Sequence, residues 1–146
     1  MLGKIALSYR QTRFRTVARY AIMAPAAFRP QKEVSFMAIT VNIYYTGQGG
    51  SARSFAREMT SSGMVGEIRA ESGNLRYEYF FPMDDEETVL LIDSWQDQRA
   101  LDMHHASPLM PRIAALRDKY GLHMRVERYV SDAGGIPASD RAFIRK

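Results

Sequence analysis

From Met37 onward, apolar and polar residues alternate in blocks that change period, and the period names the element. Residues 38–45 alternate β-branched and aromatic side chains with smaller or polar ones, which predicts a strand ended by Gly47-Gln48-Gly49-Gly50. Ser51 is placed to cap a helix in which Ala52, Phe55, Ala56 and Met59 fall at i, i+3, i+4 and i+7, with fraying expected near Gly63 or Gly66. Residues 74–81 set Leu75, Tyr77, Tyr79 and Phe81 on one face. Pro82 and Asp84-Asp85 then turn the chain, and Thr88 to Trp95 returns as the second half of a hairpin.

Asp97 stands where a helix can start, with Ala100, Leu101 and His104 on one side of it. Ser107-Pro108 restarts a helix whose stripe is Leu109, Ile113, Leu116 and Tyr120, and Gly121 closes it. A final strand runs from Leu122 to Val130. The order β-α-β-β-α-β predicts an α+β fold of the ferredoxin-like class. Both faces of the strands carry apolar residues: Ile39, Val41 and Ile43 oppose Ala38 and Tyr44, while Leu90 and Ile92 oppose Val89, Leu91 and Trp95. Two helices cover one face only, so a second copy of the sheet is the simplest cover for the other, which predicts a homodimer.

Composition narrows the class. With 146 residues, 46 % of them apolar and 11 % aromatic, the chain supports one ordinary core. No run approaches the roughly 18 apolar residues of a spanning helix, so no membrane span is expected. The absence of cysteine removes thiolate nucleophiles and cysteine-ligated metals, and it fits a reducing, cytoplasmic setting. The net charge of +4 is uneven. Residues 1–36 hold seven Lys or Arg against one acid, and the remainder is slightly acidic. That basic segment lacks the aromatic interleaving of a nucleic-acid face. It reads as an upstream extension, with a targeting segment or a membrane- or partner-binding arm as alternatives. Residues 37–132 are the domain. Residues 133–146, with Phe143 and Ile144, read as an arm that packs on its own domain or a partner.

The stretch Trp95 to Met110, with the spacing Trp95, Ala100-Leu101, His104 and Ser107-Pro108, resembles the signature of the antibiotic biosynthesis monooxygenase family, whose members include quinol monooxygenases working without metal or flavin. The resemblance covers residues 37–132. It implies a dimeric α/β barrel and oxidation of a small quinol or aromatic phenol by dioxygen, with no cofactor. An isomerase of small hydroxy-ketones and a non-catalytic binding dimer are the alternatives on the same fold.

Such chemistry needs a base, because the phenolate and not the phenol passes an electron to dioxygen readily. A phenol pKa of about 10 against about 6.5 for histidine leaves a mismatch of roughly 4–5 kcal/mol for the pocket to offset. His104 is the expected base, since it shares a helical face with Ala100 and Leu101 and occupies the family's histidine position; a hydrogen-bonded core histidine is the alternative. His105, about 100° around the helix, is expected at solvent or a dimer edge. Asn42, polar within an apolar strand, matches a functional asparagine of relatives and is the second catalytic candidate. Trp95 is expected to line the pocket, and Tyr44, Tyr77, Tyr79 and Arg76 are weaker substrate contacts. The haem-degrading relatives carry a proximal histidine where this chain has Ala114, and many quinol monooxygenases a second histidine where it has Leu109. Neither haem ligation nor a two-histidine site is expected. No metal-ligand spacing accompanies His104, His105 or the isolated His123.

Overall fold

The computed structural model describes residues 37–145, so the expectations for residues 1–36 lie outside the described residues. Four strands, β1 (Ile39–Thr46), β2 (Asn74–Phe80), β3 (Thr88–Trp95) and β4 (His123–Val130), form one antiparallel sheet in the order β2-β3-β1-β4. The helices are α1 (Ser51–Ser61), α2 (Met64–Arg69), α3 (Gln98–His105), α4 (Leu109–Lys119) and a four-residue turn α5 (Ala138–Arg141). This is the expected ferredoxin-like α+β fold, with an open sheet whose edges are β2 and β4.

Register assigns every strand residue to a face. Ile39, Val41, Ile43 and Tyr45 pair with Trp95, Asp93, Leu91 and Val89 on one side and with Val130, Arg128, Val126 and Met124 on the other. Tyr77 and Tyr79 continue the same rows opposite Asp93 and Leu91. All of these side chains share the face on which the helices lie. Phe55, Met59, Ile68, Leu91, Val89 and Trp95 are fully buried there, each contributing about 1.5–3 kcal/mol of hydrophobic stabilisation.

Helix boundaries differ from expectation in three places. Ser51 is the first helical residue and not the cap: its Oγ accepts from Gln48 N at 3.2 Å, and Gly50, at φ 77°, holds the cap position. The fraying expected near Gly63 is a new helix instead, because Gly63 at φ 86° turns the chain into α2, where Met64, Val65 and Ile68 are buried. The residues ahead of Leu109 divide the capping role, with Pro108 at the cap position and Ser107 Oγ accepting from Leu109 N at 3.3 Å. At α3 the expected cap is present: Asp97 accepts from Ala100 N at 2.8 Å, a contact that typically stabilises a helix by about 1 kcal/mol.

Leu75 leaves the face assigned to it, whereas Phe81 stays on the helix-bearing side, beneath Arg53 of α1. A register irregularity between Asn74 and Arg76 turns Leu75 outward, and Phe81 lies past the strand end. The other sheet face carries Thr40, Asn42, Tyr44, Arg76, Glu78, Phe80, Leu90, Ile92 and Ser94 and, among the described residues, no helix. It is a mixed surface and not an apolar one: Thr40 and Ser94 hydroxyls meet at 2.8 Å, and Arg125 stacks 3.8 Å over the Tyr44 ring. In the tail, Ile136, Phe143 and Ile144 are exposed.

Candidate active site

Between the sheet and the pair α3 and α4 lies a cleft of about 400 Å³. Its walls are apolar, including Val41, Ile43, Leu101, Ile113 and Val126, and five ionisable side chains line it: Tyr45, Asp93, His105, Arg117 and Arg128. Among the described residues no helix packs on the β4 end of the sheet, which leaves this cleft open. Met124 and Val126, on the helix-bearing face, are consequently exposed.

Asp93 forms the charged part of the floor. It is 4 % exposed, sits in mid-strand between Ile92 and Ser94, and its Oδ1 is buried without a hydrogen-bond partner among the described residues. A buried carboxylate without partners resists ionisation, since the low-dielectric surroundings disfavour the charged form. Burial accordingly raises its pKa to about 6; Trp95 and then His104 oppose that rise, and Glu71 adds to it. Trp95 Nε1 is itself unpaired, so the indole eases the carboxylate charge by proximity without a well-formed hydrogen bond. Tyr45 also reaches the cleft, and burial pushes its phenol up to about 12, which keeps it a neutral donor.

His104 stands behind this floor and does not line the cleft. It is 4 % exposed, its ring stacks on Trp95 with centroids 4.8 Å apart, and its Nδ1 lies 2.6 Å from Glu71 Oε2. An ionised carboxylate only accepts, so Nδ1–H donates and Glu71 fixes the tautomer. The turn after α2 delivers Glu71 to this position, with its N–H bonded to Ile68 O at 3.0 Å. Of the two neighbouring histidines, it is the exposed His105 that reaches the cleft.

The structure separates the other expected residues. Tyr77 and Trp95 share the helix-bearing face with His104 but are packed into the core; Tyr79 shares that face too, its hydroxyl buried and unpaired away from the Asp93 cleft. Asn42, Tyr44 and Arg76 lie on the opposite face, because each pairs with β3 out of phase with Asp93. Asn42 therefore does not meet His104. Arg76 makes an ion pair at 2.9 Å with Glu78, two residues along the same strand and on the same face. A second cavity, of about 440 Å³ and lined by Arg57, Arg69, Tyr79 and Phe81, contains neither Asp93 nor a histidine. Reading the alternation of Thr88–Trp95 through to Asp93 would have found the floor: Val89, Leu91 and Trp95 on that face make a carboxylate among them conspicuous.

A family model described as antibiotic biosynthesis monooxygenase matches residues 38–116, more than half of the chain. The chain belongs to the antibiotic biosynthesis monooxygenase family. Solved structures share its fold. A Pseudomonas aeruginosa protein is 24 % identical with a TM-score of 0.57, the match covering 68 % of this chain and 98 % of that one. A conserved protein from Methanosarcina mazei is 20 % identical with a TM-score of 0.58, covering 67 % and 96 %. SnoaB from Streptomyces nogalater, a cofactor-independent oxygenase, is 18 % identical with a TM-score of 0.51, covering 66 % and 93 %. None of the curated proteins matches the sequence. Family membership supports a monooxygenase-type function, and Ala114 contributes only a methyl group to the cleft wall of this family member. Among the described residues, no helix is long and apolar enough to cross a membrane.

Proposed function

We propose that the protein is a cofactor-independent monooxygenase that oxidises a small quinol or aromatic phenol with dioxygen in the cleft above Asp93. The observation that carries this reading is the buried Asp93 carboxylate, its Oδ1 unpartnered among the described residues, at the floor of a largely apolar cleft. With a pKa near 6 it is about nine-tenths ionised at pH 7 while being a stronger base than an ordinary aspartate.

Asp93 takes the phenolic proton, and the resulting anion gives an electron to dioxygen. The overall change balances without an external reductant: a quinol and dioxygen yield a hydroxyquinone and water, the quinol's own electrons reducing the second oxygen atom. The mismatch between a phenol and Asp93, about four pKa units or roughly 5 kcal/mol, is what stabilisation of the anion in the cleft must offset. His104 acts through Trp95 and the floor and does not touch substrate, so its role is positioning. The uncovered sheet face, with Phe80, Leu90 and Ile92 half-buried, supports pairing of two copies there.

The test is oxygen uptake with a reduced naphthoquinone, followed by isotope analysis under labelled dioxygen. The expected result is uptake above the uncatalysed rate with one labelled atom in the product, and loss of that excess in Asp93→Asn. Product without label, or equal turnover when dioxygen is removed, overturns the proposal.

A further inference from the structure

The cleft is charged asymmetrically along its length. Asp93, Val41 and Arg128 occupy one cross-strand row, since Val41 pairs with Asp93 on β3 and with Arg128 on β4. Two strand spacings, about 10 Å of backbone, therefore separate the carboxylate of the floor from the arginine at the sheet's edge. Between them the wall is aliphatic. Arg117, at the end of α4, is the second cation of this edge.

Arg128 has no carboxylate partner among the described residues, and Arg117 has only a long, solvent-screened one. Arg128 donates to the amide oxygen of Gln98 at 2.9 Å and is in no ion pair among the described residues. Arg117 lies 3.8 Å from the well-exposed Asp118 carboxylate and donates to the Met124 sulfur at 3.3 Å. Asp93 is not their counter-ion either, because burial, Trp95, His104 and Glu71 set its protonation. Each guanidinium offers five donors in a fork suited to a carboxylate, and the neutral acceptors Gln98 and Met124 hold both forks at the cleft while leaving most donors open. An uncharged aromatic would fill the walls and leave these donors to water.

We propose that the substrate is a hydroxyaryl carboxylic acid, its reacting hydroxyl at Asp93 and its carboxylate at the opposite end, held by Arg128 and Arg117. This rests on the oxygenase reading only for the word substrate; the recognition itself is a binding property. Two cations and one apolar channel favour a one- or two-ring aromatic with an acid group remote from the hydroxyl over the neutral phenol or quinol of the same ring. Charge-assisted, bidentate contacts are the stronger class of hydrogen bond, so the acid group is the main source of discrimination.

The experiment is calorimetric titration, without oxygen, of the full chain with 6-hydroxy-2-naphthoate and with 2-naphthol. The acid is expected to bind about tenfold or more tightly than the neutral compound. Added salt is expected to shrink that margin, because these charges sit at a partly open edge. Arg128→Gln and Arg117→Gln are each expected to weaken the acid severalfold while leaving 2-naphthol binding unchanged. Equal affinity for the two compounds, or a preference that survives both substitutions together, overturns the proposal. If either variant unfolds, the salt series on the unaltered chain decides: a margin insensitive to salt also overturns it. Because no turnover is read, absence of oxygen uptake on any quinol overturns the oxygenase reading alone.

Discussion

His104 lies nearly flat against Trp95, the ring planes 26° apart, and the stack seals both side chains away from the cleft that Asp93 floors. The histidine that the family spacing marks is thereby one layer removed from any bound substrate. It is held from behind by Glu71 and from the front by the indole, and the buried Asp93 takes the place at the cleft.

Turnover and folding should pull in opposite directions at Asp93. Its folded pKa of about 6 stands above the ordinary 3.8, so the folded state binds the proton more tightly than the unfolded chain. Stability from this group is then full below about pH 4 and is lost as pH rises through 6. The difference between those two pKa values corresponds to roughly 3 kcal/mol as an upper value. Asp93→Asn is expected to raise the unfolding free energy by up to that amount at pH 8 and to bring little gain at pH 4. Urea unfolding at the two pH values measures it; an unchanged or lower stability at pH 8 refutes the buried-charge account.

The same ionisation should govern the rate. kcat/KM is expected to rise with pH through about 6 and then level, since Asp93 must be unprotonated to act. A pH profile of oxygen uptake checks this, and a limb near 4 or its persistence in Asp93→Asn assigns the base elsewhere.

Removing His104 tests positioning against direct proton transfer. His104→Ala deletes the ring stacked on Trp95 and strips the partner from Glu71, so a stability loss of about 2–4 kcal/mol is expected from the cavity and the orphaned carboxylate. His104→Gln retains a donor and should keep most of the rate, within about tenfold, against a loss of about a hundredfold or more for Asp93→Asn. Parallel losses in the two variants would return His104 to the role of base.

Gly73 controls where α3 sits. Its φ is 84°, and a Cβ there would meet the Ala100 Cβ at 2.6 Å, while its carbonyl accepts from Gln96 N at 2.8 Å. Gly73→Ala combines left-handed strain of about 1 kcal/mol with overpacking of about 1–3 kcal/mol. A loss of about 2–4 kcal/mol in denaturant unfolding is expected, accompanied by reduced turnover because α3 carries Leu101 and His105 into the cleft. A variant as stable as the parent would mean that α3 can shift freely.

The alternation of Thr88–Trp95, the cap at Asp97 and the stripe of Leu109, Ile113 and Leu116 were all legible in sequence, because each is a local pattern repeated at the period of its own element. Ser51 and Gly63 were less so. Whether a serine caps or merely begins a helix, and whether a glycine ends one or opens another, depends on a few dihedral angles that the neighbouring turn decides. The tail's exposure was hidden for a related reason, since apolar residues such as Phe143 announce a need for cover without naming its source.

The sequence by itself determined the four strands, three of the helices, their order and the family resemblance, and it marked His104 as an inward residue. Only the tertiary structure decided which inward residues meet a cavity and which are sealed in the core. Asn42 and Asp93 are both polar residues in apolar strands, yet the pairing of β1 with β3 sends them to opposite faces of the sheet. Helical period turns His104 and His105 apart, but the uncovered edge at β4 is what gives the second of them a cleft to line. Local periodicity fixes the direction of a side chain relative to its own backbone. What it points at is set by register and by where the layers fail to cover one another, and those are contacts between residues distant in the chain.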